Sequence, residues 1–343
     1  MRMILTIRNY VIFGLLFVAL TCCSNTITTI ADESLKAEAE KGNAEAQFCL
    51  GFCHFEGIDV KKDYAEAVKW LRKAAEQGFA EGQYYLGFCY YCGYGVEKDY
   101  AEAVKWLRKS AEQEEATAQY MLGFCYYRGE GVEKDVAEAV KWYRKAAEQE
   151  LAHAQFCLGK CYFMGECVKK DVAEAVKWFR KAAEQGDANA QYNLGLCYYR
   201  GEGVKKDYAE AVKWLRKAAE QGLADAQFHL GHCYFMGEGV KKDKAETVKW
   251  LRKAAEQGDA KAQYKLSDCY YGGVGVKEDK AEAVKWLRKA AEQGYAEAQC
   301  GLGFCYYKGV GVKEDKAEGV KWFRKAAEQG YADAKKILEL IEN

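Results

Sequence analysis

The stretch LGFCYYRGEGVEKD, residues 122–135, returns in nearly the same form at residues 50–63 (LGFCHFEGIDVKKD) and 86–99 (LGFCYYCGYGVEKD), and eight times in all. Every copy carries a cysteine. The tryptophans fix the period: they stand at 70, 106, 142, 178, 214, 250, 286 and 322, always 36 residues apart. A fixed period between about 20 and 50 residues means stacked supersecondary units, each burying its apolar face only against its neighbours.

The first copy shows what one unit is. AEAQFCLGFCHF, residues 44–55, has no breaker until Gly57 and predicts a first helix, A, closed by a left-handed glycine. The loop GIDVKK leads to Asp63, an N-cap, with Glu66 at capping-box spacing. YAEAVKWLRKAAEQ, residues 64–77, then predicts helix B, closed by Gly78. Ala67, Val68, Trp70, Leu71, Ala74 and Ala75 give it a wide apolar arc, suited to packing on its own partner and on the next unit. Lys69, Arg72, Lys73 and Glu76 make the outer face, with Arg72 and Glu76 at i,i+4 spacing. Eight full units cover about residues 42–329. Leu35–Gly42 reads as the end of a preceding helix B, and residues 330–343 as an extra capping helix. Two copies end helix B with Glu114 and Glu150 where the others have Gly; the left-handed turn there costs about 1 kcal/mol.

Bulk composition agrees. The 343 residues include no proline, as a mostly helical chain prefers. Lys plus Arg and Asp plus Glu number 51 each, so the basic excess that nucleic acid requires is missing. The first 23 residues differ from the rest. Arg2 and Arg8 precede the uncharged Tyr10–Leu20, too short to span a bilayer and readable as a secretory signal. LTCCSN follows, placing Cys23 (or Cys22) where bacterial lipoproteins are lipidated; cleavage further on, after Ala31, or an uncleaved anchor are the alternatives. Residues 24–33 would be a short polar tether.

The AxAQxxLGxxY of helix A, the GxGV loop, the Asp cap and AVKWLRKAAEQG resemble the Sel-one-like repeat family, relatives of tetratricopeptide repeats, over about residues 34–343. The resemblance implies an all-α, right-handed superhelical solenoid in which helix A lines the concave face. It implies an adaptor surface and no fixed chemistry.

Copies of one unit can be compared with each other. Within helix A the variable places are those equivalent to 45, 49, 52 and 56, which fall on one narrow stripe at about 100° per residue. In the first copies this stripe carries Phe52, Tyr85, Phe88, Met121 and Phe124, and we expect these side chains to face solvent and contact a partner; the alternative is that they pack against each other or against neighbouring helices. Arg128, Lys160, Arg200 and Phe304 continue it through copies that are mostly polar. The expected partner is a protein or peptide.

Cys53, Cys89, Cys125, Cys161, Cys197, Cys233, Cys269 and Cys305 sit beside the stripe toward the buried side. Neighbouring packed helices lie about 8–10 Å apart and a disulfide needs Cα atoms within about 7 Å, so equivalent cysteines should not pair. They read as small buried hydrophobes. A cysteine-rich secreted subfamily of these repeats pairs cysteines at places occupied here by Ala75 and Gln83, so that pattern is absent. Asp225, His229 and His232 are a weak candidate metal set, and no cofactor is expected.

Three functions compete: an exported scaffold, in the periplasm, on the outer membrane as a lipoprotein or secreted; a hydrolase, as some relatives are labelled; and a thiol or metal binder. The first is favoured. The serines at 24, 34, 110 and 267 begin no S-x-x-K motif, and no G-x-S-x-G, HExxH or P-loop is present.

Overall fold

The structure, a computed structural model, describes residues 33–166 and 168–342. The expected signal segment, tether and lipidation site at Cys23 or Cys22 lie outside these residues. Among the described residues are eighteen helices and no strand.

Helix α1 (Glu33–Glu40) is followed by alternating A and B helices. In unit 1, which runs to Ala154, these are α2 (Ala44–Glu56), α3 (Tyr64–Glu76), α4 (Ala80–Cys92), α5 (Tyr100–Glu112), α6 (Ala116–Arg128) and α7 (Val136–Glu148). Helix α8 (Ala152–Met164) opens the fourth copy and carries the chain into unit 2, which begins at Gln155. There follow α9 (Val172–Glu184), α10 (Ala188–Arg200), α11 (Tyr208–Glu220), α12 (Ala224–Met236), α13 (Lys244–Glu256), α14 (Ala260–Gly272), α15 (Lys280–Glu292), α16 (Ala296–Lys308), α17 (Lys316–Glu328) and α18 (Ala332–Glu342). Each unit is a solenoid stack in which successive helices pack side by side.

Local chemistry sets the boundaries. The Asp63 carboxylate accepts from the backbone of Ala65 and Glu66, and its seven counterparts cap the other B helices. The capping box is not closed. Glu66 turns instead to Lys69 and to the Trp70 indole N–H, while the Asp63 N–H donates to the His54 carbonyl. Burial pushes the Glu66 carboxyl up, but these two donors outweigh it and hold the group below its ordinary range. The outer-face pairing also differs from expectation. Arg72 donates to the Tyr90 hydroxyl of the next copy at 2.6 Å rather than meeting Glu76, and Arg108–Tyr126, Arg180–Tyr198, Arg216–Tyr234, Arg252–Tyr270 and Arg288–Tyr306 repeat the bond.

The core repeats like the sequence. In unit 2 one cluster joins Val212, Leu215, Ala218 and Ala219 of α11 to Ala226, Leu230 and Cys233 of α12 and to Trp250 of α13. Two further clusters repeat it one and two copies on. Tight approach of A to B depends on the glycine after the helix-A leucine. A Cβ on Gly87 would lie 2.9 Å from Leu107 and 3.0 Å from the Ala103 carbonyl.

A buried glutamine ladder holds neighbouring copies in register. Gln83 donates to the Ala75 carbonyl of the preceding helix B and accepts from Gln113 at the end of its own. Gln47, Gln119, Gln191, Gln227, Gln263 and Gln299 do the same. Helix α18 departs from the A-helix pattern: the place that is Gln in the other A helices, and the one that is Gly in all of them but α14, hold the exposed Lys335 and Glu339.

Candidate partner-binding face

The structure corrects the expected aromatic row. Phe52 and Phe88 are each 8 % exposed, and Tyr85 and Met121 are more deeply buried. Phe52 meets the Tyr85 ring edge-on at 5.4 Å, and Phe55 packs on both Tyr85 and Phe88. Phe124 is half-buried beside Tyr91. The reason is geometric. Tyr85, at the second stripe place of its copy, covers Phe52, at the third place of the copy before, so these rings fill the gap between neighbouring A helices. Phe52, Tyr85, Phe88 and Met121 are packing residues and do not face solvent.

Other stripe residues are presented. Arg128 is exposed at the end of α6, in unit 1. In unit 2 Lys160 and Arg200 are exposed, Phe304 is 44 % exposed on α16, and Met164 and Met236 stand out at the ends of α8 and α12.

Sequence reasoning missed Phe235 and Tyr271, which are 40 % and 43 % exposed one residue before the fourth stripe place. They were readable only by comparing copies at a distance. The place that covers this ring in other copies, Tyr64 or Tyr100, is Lys244 or Lys280 in theirs.

The eight helix-A cysteines are buried, as small hydrophobes should be. Burial pushes the Cys125, Cys197 and Cys233 thiols up to about 12 and those of Cys269 and Cys305 up to about 11. Such thiols stay protonated near neutral pH and make poor nucleophiles. His229 Nδ1 faces the Asp225 carbonyl at 2.9 Å, which only accepts, so this nitrogen carries the proton. Burial lowers the imidazole's proton affinity. Asp225, His229 and His232 are not brought together: no group of three or more His, Cys, Asp or Glu is placed to hold a metal among the described residues. The A helices thus offer shape, apolar surface and charge.

The model of the Sel1 repeat matches eight consecutive segments, 44–79, 80–115, 116–151, 152–187, 188–223, 224–259, 260–295 and 296–331. The chain belongs to the Sel1 repeat family. Its fold is similar to that of c5321, a protective antigen of uropathogenic Escherichia coli strains displaying an SLR fold: 41% identity, TM-score 0.82, over 90% of this chain and 66% of that one. The chain therefore spans slightly less than two thirds of the antigen's length. It is also similar to a Sel1 repeat protein from Oxalobacter formigenes, with 36% identity and a TM-score of 0.67 over 95% of this chain and 93% of that one. Comparison with curated proteins finds no match. The protein is a Sel1-repeat solenoid scaffold, a fold that generally mediates protein–protein interaction.

Proposed function

We propose that this Sel1 repeat protein is an exported bacterial scaffold that holds a protein or peptide partner on its A-helix face and acts as an adaptor. The apolar lipobox-like start supports export, with Cys23 (or Cys22) as the anchor point. The observation that carries the binding reading is the set of exposed stripe residues in unit 2: Lys160 on α8, Arg200 on α10 and Phe304, nearly half open, on α16. Large apolar side chains held out by a fixed scaffold and flanked by charge are what contact sites are made of. Buried high-pKa thiols favour this reading over a thiol nucleophile.

The test is crosslinked capture from envelope extract, comparing the wild type with Lys160→Glu/Arg200→Glu/Phe304→Glu. All three residues are solvent-facing, so the helical circular dichroism should not change. A partner held by the wild type and reduced at least about tenfold in the variant is the expected result. Equal capture by both would refute the stripe.

A further inference from the structure

One ring in each helix A, at the place of Phe55, marks the loop edge of the stack, and its cover changes along the chain. In the first copy Tyr64 packs edge-on against Phe55 at 5.3 Å. In the second, Tyr100 covers Tyr91 at 5.1 Å, and in the fifth Tyr208 covers Tyr199 at 5.2 Å. The hydroxyls of Tyr91 and Tyr199 also donate to Glu130 and Glu238 in the following loop. The sixth and seventh copies, both in unit 2, lose both features. Lys244 and Lys280 replace the covering tyrosine, and Val274 and Val310 replace the following glutamate. Phe235 and Tyr271 are consequently among the few large apolar residues standing in solvent, with Met236 beside them.

The charges around these rings are lopsided. Asp243 and Asp279 are occupied in capping α13 and α15, and Glu278 pairs with Lys280 at 3.3 Å. Lys241, Lys242, Lys244 and Lys277 make no ion pair among the described residues, and Lys242 lies over the Phe235 ring at 5.5 Å. Two rings without a tyrosine cover, at equivalent places of adjacent copies, thus stand in solvent with lysines over them, Lys242 over Phe235 and Lys280 over Tyr271 at 5.8 Å, and present apolar surface flanked by positive charge.

We propose that the loop edge of the sixth and seventh copies, built from Phe235, Met236, Lys242, Lys244, Tyr271 and Lys280, is a docking site for an acidic peptide segment carrying apolar or aromatic side chains. Its carboxylates would meet Lys242 and Lys244 and its rings would stack on Phe235 and Tyr271. This deepens the scaffold reading by naming the chemistry of the partner. It uses residues apart from Lys160, Arg200 and Phe304, so the two proposals fail separately.

The test is binding of a random Glu–Tyr copolymer to the full described array by fluorescence anisotropy, with a Lys–Tyr copolymer as control. The wild type should bind the acidic copolymer and discriminate against the basic one, and binding should weaken as salt rises. Lys244→Tyr/Lys280→Tyr restores the cover found in three other copies, so folding is kept, and it should weaken binding at least about tenfold. Phe235→Ser/Tyr271→Ser keeps the lysines and should weaken it by a similar factor. No binding by the wild type, equal binding of the basic copolymer, or unchanged affinity in either variant would overturn the site. None of these outcomes bears on the envelope capture by the Lys160/Arg200/Phe304 stripe.

Discussion

Replacing Gly131 by alanine is expected to lower the stability of unit 1 by about 3 kcal/mol or more. Gly131 has φ +75, and a Cβ there would sit 2.0 Å from the Tyr100 carbonyl oxygen at the start of the preceding helix B. That atom is backbone, so the loop cannot yield without separating two copies. Gly222 is the control. Its φ is +93, but a Cβ would meet nothing within 4 Å, so alanine there carries only the left-handed penalty of about 1 kcal/mol. The reverse change applies at Glu114 and Glu150, which adopt φ 67 and 65 as the sequence implied. Glycine at each should stabilise by up to about 1 kcal/mol, reduced by the extra freedom glycine has when unfolded. Urea unfolding and hydrogen exchange across α4–α6 measure the unit 1 effects. A Gly131→Ala loss no larger than that of Gly222→Ala would show that the loop does not lock one copy to the next.

The second large effect belongs to the glutamine ladder. Gln119 is buried, donates to the Ala111 carbonyl at 3.1 Å and accepts from Gln149 at 2.9 Å. Gln119→Leu keeps the bulk and deletes both bonds, for a loss of about 2 kcal/mol. Gln119→Glu adds a pH signature. A protonated acid can still donate to Ala111, whereas a carboxylate would face that carbonyl without a proton. Burial raises the folded-state pKa above the unfolded value of about 4.3, so the folded chain binds the extra proton. The variant is therefore close to wild type in acid and loses stability as pH climbs above that unfolded value. Urea midpoints from acid to neutral pH would show this slope; a pH-independent difference from wild type would mean that the side chain escapes to water.

Why some of this was legible and some not follows from where the contacts lie. Tryptophan spacing, the Asp63 cap and Gly57 report interactions within one copy, and each is a local signal. The left-handed Glu114 and Glu150 were readable because other copies place glycine there. The cover over Phe52 is supplied by Tyr85, 33 residues away in the chain. A helical wheel drawn for one helix contains no such neighbour, so it puts Phe52 and Phe88 in solvent. Gln83 escaped notice for the opposite reason. It never varies between copies, and a constant polar residue beside the buried Gly82 and Tyr84 was the available sign that it bonds inside the stack. The recurring cysteine has a similar explanation. Cys233, Cys269 and Cys305 each lie in a core cluster with the preceding copy's helix B and their own copy's tryptophan, and the Cys233 carbonyl receives the N–H of Gly237, which ends helix A.

Invariant positions hold the stack together, and on the proposed reading the exposed positions where copies differ do the binding. The most direct test places a photoreactive benzoylphenylalanine at position 304, at position 271 or, on the outer face of α15, at position 285, and irradiates each protein in envelope extract. Adducts to a common partner from 304 and 271, with none from 285, are what the account predicts. Adducts from 285 equal to or stronger than those from the other two would place the partner on the invariant B helices and contradict it.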